Sequence, residues 1–170
     1  MSPHTTTSRE VQTLQIEQTV DIAASPETVF RALTTDIASW WGPPYCDEND
    51  VVDIVLDLRL GGLMYESYGA AQGWVWGTVV GFETNKWLEI DGPMGLQGTV
   101  KGNLKYTLEP AGKGTRLILS HTAMGLFGPE AEEMYAGGWA DLLGARLKAF
   151  VEKGEVMGLR AHLASKKKQI

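Results

Sequence analysis

The sequence predicts a single α+β domain: an antiparallel sheet of about seven strands with one long C-terminal helix laid on it. Three observations predict it. From Val51 to Gly128 the chain is a succession of strand-like runs broken by glycine-rich turns. The connections between those runs are short, which makes an antiparallel meander. Beyond Pro129, Tyr135, Trp139, Leu142, Leu143, Arg146 and Phe150 recur at helical spacing.

Each element has its own signal. Residues before Leu14 are polar and rich in Thr and Ser, so 1–13 read as a disordered leader. Leu14, Ile16, Gln18, Val20 and Ile22 then share one face of a strand, with Glu17, Thr19 and Asp21 on the other. Ser25 is placed to cap a helix that begins at Pro26 and buries Val29, Phe30 and Leu33. A second short helix or turn carries Ile37, Trp40 and Trp41 until Gly42-Pro43-Pro44 breaks it. Strands are expected over Val51–Leu56, Gly62–Tyr68, Trp74–Phe82, Lys86–Asp91, Thr99–Glu109 and Thr115–Met124. Gly154 is the expected cap of the last helix, closing a domain over 14–154 and leaving 155–170 as a frayed C-terminal extension.

Composition removes several function classes. A net charge of −6 disfavours a nucleic-acid or anionic-membrane surface, and Lys166-Lys167-Lys168 reads as a solvated tail. Cys46 is the only cysteine, so neither an intramolecular disulfide nor a cysteine metal cluster is available. With His4 and His162 near the termini and only His121 inside, no metal site is expected. There is no phosphate loop, dinucleotide fingerprint or nucleophile elbow, and no cofactor is expected. The lack of a long apolar run leads us to expect a cytoplasmic chain, and monomer and homodimer are both left open.

Several motifs, in order, carry a family resemblance. Ser25-Pro26-Glu27-Thr28-Val29-Phe30-Arg31-Ala32-Leu33 is followed by Trp40-Trp41, then by Leu58-Arg59-Leu60-Gly61-Gly62. Trp76-Gly77-Thr78-Val79, Gly114-Thr115-Arg116-Leu117 with His121, and Gly138-Trp139 with Leu143 complete the series. The chain resembles the START/Bet v 1-like (SRPBCC) superfamily. Within it, it is similar to the bacterial branch named for the activator of the heat-shock-protein-90 ATPase. The resemblance implies a helix-grip fold, with a strongly curved sheet around the C-terminal helix and a cavity between them. That superfamily holds lipid and hormone binders, polyketide cyclases, resistance proteins and co-chaperone modules, so it implies a pocket and not a chemistry. Arg146 departs from the apolar stripe the family keeps there, and a small rotation bringing in Leu147 would compensate.

The candidate site residues follow from faces and loops. Trp74 and Trp76 share a strand face with Thr78 and Val80, opposite Val75 and Val79, and form either core or a stacking wall. Trp40, Trp41 and Tyr45 adjoin a stiff loop suited to a lid. His121 faces inward with Leu119, and Glu66 lies with Met64 and Tyr68 on a face the sequence leaves unassigned. Met94, Met124 and Phe127 sit near glycine-rich connections that could gate a cavity. Tyr135, Trp139, Leu143 and Arg146 are offered by the last helix. The reading these support is binding of a small hydrophobic or aromatic molecule. One alternative is a cyclase-, aromatase- or hydrolase-like enzyme in which His121, Glu66 or Tyr135 moves a proton. The other is a co-chaperone-like protein-interaction domain.

Overall fold

The computed structural model describes residues 10–168. Strand β1 (Gln12–Ile22) leads to α1 (Pro26–Leu33) and a short 3-10 turn at Ile37–Ser39. Six strands follow: β2 (Asp53–Leu56), β3 (Leu63–Gly69), β4 (Gln72–Glu83), β5 (Trp87–Asp91), β6 (Val100–Ala111) and β7 (Gly114–Gly125). The chain closes with α2 (Ala131–Trp139), a π-helical stretch (Ala140–Leu147), α3 (Lys148–Lys153) and α4 (Leu159–Lys167). No helix among the described residues is long and apolar enough to cross a membrane.

All seven strands form one antiparallel sheet in the order β1-β7-β6-β5-β4-β3-β2. β2 to β7 are the expected meander, and β1 returns to pair with β7. The pairing of Gln12 with Gly125 starts β1 two residues inside the expected leader; the rest of that leader, residues 1–9, lies outside the described residues. Ser25 caps α1 through the Thr28 amide at 3.3 Å, and Pro26 opens the helix as its fixed φ allows.

Bulges give the sheet its curvature. Register shifts fall between Met64 and Tyr65, between Ser67 and Gly69, and between Val79 and Gly81. Each extra residue bends its strand and adds twist. They also break the simple alternation expected in β4. Trp74 opposes the inward Glu66 and Gly77 opposes the buried Met64, so Trp76 is the extra residue between them. Val79 is consequently buried and Val80 exposed, the reverse of the expected faces.

The closing helix crosses the concave side, burying Trp139, Leu142, Leu143 and Leu147 in the same core as Leu104, Leu117 and Leu119. Trp139, Leu143 and Leu147 are four residues apart. In a regular α-helix each such step would carry the stripe about 40° around the axis. The wider π turns keep the three in line. Leu147 is buried, and Arg146 is part-buried and paired with Asp141. Gly154 ends α3 in the left-handed conformation, its amide donating to the Phe150 carbonyl at 2.9 Å.

The region expected to fray contains an element. α4 buries Leu159 and docks on the 3-10 turn. The amides of Met157 and Gly158 donate to the Ser39 carbonyl at 3.1 and 2.9 Å, and that of Leu159 to Trp41 at 2.8 Å. Gly42 and Gly158 permit this approach, since a Cβ on either would collide with the opposite backbone.

Candidate functional site

Three tryptophans make a floor. Trp41, from the end of the 3-10 turn, stacks on Trp76 of β4 with centroids 5.1 Å apart and planes 25° apart. Trp139 of α2 stands edge-on to Trp41 at 5.4 Å. The indole N–H of Trp41 donates to the Tyr45 carbonyl at 3.0 Å, and that of Trp139 to His121 Nδ1 at 3.0 Å. Edge-to-face and offset contacts, with the N–H groups of Trp41 and Trp139 satisfied, fix these rings. Trp40 lies behind them, fully buried and bonded to the Ala32 carbonyl at 2.8 Å. It is core, not lid.

Above the floor is a cavity of about 620 Å³, open to solvent. Trp41, Trp76, Trp139, Met94 and Leu142 are its buried wall. Pro44, Trp74, Gly95, Gln97 and Met134 are exposed at its mouth. Trp74 points inward from β4, yet 44% of it remains accessible. Its indole faces open space.

One end of the cavity is acidic. Glu66 faces inward and is only 6% exposed. Its Oε2 accepts from the Asp47 amide at 2.9 Å, and its Oε1 from the Tyr68 hydroxyl at 2.9 Å. Burial, then the adjoining Glu66 carboxylate, pushes the Tyr68 hydroxyl up to about 12. Burial, then Glu66 and Asp47, likewise pushes the Cys46 thiol up to about 12. The Asp47 carboxyl is held below its usual value by the Asp50 and Asn49 amides, which donate to Oδ1 at 2.7 and 2.8 Å.

The helix side is latched to the loop that follows Trp41. Tyr45 donates to Asp141 Oδ2 at 2.9 Å, and Arg146 Nε meets the same oxygen at 2.8 Å. Arg146 Nη1 also donates to the Pro43 carbonyl at 3.0 Å, and its guanidinium lies 5.1 Å from the Tyr45 ring centroid. The arginine is thus a structural clasp outside the cavity wall. Burial, followed by the bond to Asp141, raises the Tyr45 hydroxyl. Tyr135 donates to the Met94 carbonyl at 2.8 Å, tying α2 to the β5–β6 loop, and burial pushes its hydroxyl up to about 12.

His121 points inward as the strand register requires, but Trp139 and Tyr135 stand between it and the cavity wall. Burial pushes its pKa down to about 4, so the ring is neutral at pH 7. Because Nδ1 accepts from Trp139, the proton sits on Nε2, which has no partner among the described residues. No hydrogen bond joins His121 to Glu66, so the acid/base pair considered from sequence is not assembled.

Other expected lining residues are placed elsewhere. Leu119 and Leu143 are fully buried in the core. Met124 lies within β7, not in a loop, and alternation turns it outward to 53% exposure. Phe127 packs partly buried against the core. The cavity does gather Trp41, Tyr45, Glu66, Tyr68, Trp74, Trp76, Met94, Tyr135 and Trp139. Sequence reasoning missed Met134, Gly138 and Leu142 as lining residues, although they lie four residues apart on one helical face. It also missed Pro44, Cys46, Asp47, Gly95 and Gln97, which reach the cavity from loops where no periodicity signals a face.

Comparison with known proteins gives the context for this geometry. The family described as Activator of Hsp90 ATPase homolog 1-like protein matches residues 23–152. A protein of Rhizobium leguminosarum is similar in structure, with TM-score 0.66 and 18% identity over 85% of this chain and 98% of its own. DynU16, from the dynemicin biosynthetic locus, has TM-score 0.62 and 20% identity over 85% of this chain and 49% of its own. The Aha1 dimer of Colwellia psychrerythraea, solved in solution, has TM-score 0.60 and 22% identity over 84% and 98%. No curated protein matches the sequence. At these identities the structural likeness speaks for the helix-grip fold alone.

Proposed function

Because the chain belongs to the Activator of Hsp90 ATPase homolog 1-like family, we propose that it binds a small hydrophobic or aromatic molecule between its curved sheet and closing helix. The observation that carries this reading is the half-exposed Trp74 indole above a floor of three interlocked tryptophans. Water-facing aromatic surface in a concave site is surface a ligand can cover. A volume of about 620 Å³ is in the range of small-molecule sites. DynU16 belongs to a biosynthetic locus, so biosynthetic products and intermediates are the first ligands to screen.

Binding is favoured over turnover by the state of the candidate proton carriers. His121 lies behind the wall, the Tyr135 hydroxyl holds its proton at neutral pH, and Glu66, though it lines the cavity, is bonded to the Asp47 amide and Tyr68 and not to His121. It is favoured over a co-chaperone-like docking role by the cavity itself, which such a role does not need. We expect a monomer or homodimer, the latter being the state of the Colwellia protein, and sedimentation would distinguish them.

A thermal-unfolding screen against fatty acids, flavonoids, polyketides and aromatic acids tests the reading. A ligand at 100 times its dissociation constant adds about 2.7 kcal/mol of stability, several degrees for a domain of this size. Trp74→Ala should keep the fold and lose most of that shift. An undiminished shift in Trp74→Ala, or none across the panel in the parent protein, would count against the proposed site.

A further inference from the structure

We infer that the ligand carries a positive charge at one end of its apolar or aromatic body, and that Glu66 and Trp74 bind that charge. The inference rests on the ligand-binding reading above and specifies its chemistry.

The first support is the charge of the wall. Glu66 and Asp47 line the cavity, and among the described residues no Lys, Arg or His does. The Arg146 guanidinium, whose charge acts on Cys46 less than burial, Glu66 and Asp47 do, is committed to Asp141, the Pro43 carbonyl and the Tyr45 ring. Lys166 lowers the Asp47 pKa from outside the cavity, with its ammonium bonded to the Glu48 carbonyl.

The second support is Glu66 itself. Among the described residues it is the most buried carboxylate, and none of their cationic side chains lies within 4.0 Å of it. Its two hydrogen bonds, from the Asp47 amide and the Tyr68 hydroxyl, leave acceptor capacity on both oxygens. A buried carboxylate is costly unless paired. More exposed carboxylates here are paired, as Asp91 is with Lys101 and Asp21 with Arg116.

The third support is register. Glu66 and Trp74 are direct partners across β3 and β4, so their side chains rise side by side from the inner face. A cation between them meets a carboxylate on one side and the face of a half-exposed indole on the other. Both attract it, and the indole does so best when little water intervenes. An anionic ligand would meet the carboxylates of Glu66 and Asp47 at that end.

Three indole probes of nearly equal size test the charge alone: tryptamine (cationic at pH 7), tryptophol (neutral) and indole-3-acetate (anionic). Titration calorimetry on the full chain should give tryptamine as the tightest, about tenfold over tryptophol, with indole-3-acetate weakest. Raising the salt concentration should weaken tryptamine and leave tryptophol unchanged. In Glu66→Gln, which retains an acceptor for the Asp47 amide, the tenfold preference should shrink to about twofold. Should that variant fail to fold, the ranking and salt dependence in the parent protein still decide. Tryptophol or indole-3-acetate binding as well as tryptamine would overturn the inference and leave the cavity reading standing. Failure of all three at millimolar concentration, together with silence in the wider thermal screen, would overturn both.

Discussion

A neutral His121 buried under Trp139 has a consequence for stability. Its folded pKa is lowered from 6.5 to about 4 by burial. Between those values the unfolded chain binds a proton that the folded chain refuses, so stability falls as pH drops from about 6.5 toward 4. The loss attributable to this residue is about 3 kcal/mol at the lower limit. His121→Gln removes the titration and keeps an acceptor for the Trp139 N–H. Denaturant unfolding at pH 7 and pH 4 should show the parent protein losing about 3 kcal/mol more than the variant. Equal losses would mean that the imidazole is hydrated or proton-bound in the folded state. The inward direction of His121 was legible in the sequence from its alternation with Leu117 and Leu119. Its seclusion was not, because that depends on where two aromatic rings from a distant helix come to rest.

At the scale of elements, the strands and α1 follow from alternation, turn glycines and a serine cap, all local signals. The π-helical stretch has only a faint signal: the four-residue spacing of Trp139, Leu143 and Leu147. α4 had none, since a short segment rich in lysine is stabilised only by what it docks on. Here it docks through Leu159 and backbone bonds to Ser39 and Trp41, bracing the floor of the cavity from behind. It lies outside the stretch matched by the family. Leu159→Ala should therefore cost about 2–5 kcal/mol, as a buried leucine does. A cost under about 0.5 kcal/mol, typical of a surface position, would mean that α4 is not part of the folded unit. The bulges were equally invisible from sequence. They reversed Val79 and Val80, while leaving Trp74 and Trp76 directed inward.

For the whole molecule, alternation and short turns were enough to read an antiparallel meander with one long helix, and the helix-grip arrangement of the two came from the family resemblance that the ordered motifs carry. The shape of the space between them was not legible. It depends on bulge positions, on the π turns and on the clasp that Arg146, Asp141 and Tyr45 make at one end. Those features decide that three tryptophans pack on one another while a fourth stays open. The indole N–H resonances of the six tryptophans report on that division directly. Titrating the best ligand of the thermal screen should move the Trp74 signal most, with smaller shifts at Trp41, Trp76 and Trp139. Trp40, buried behind the floor, and Trp87, under Lys105 on the other face of the sheet, should stay fixed. A bound ligand that leaves Trp74 in place and moves Trp87 instead would contradict a binding site between sheet and helix.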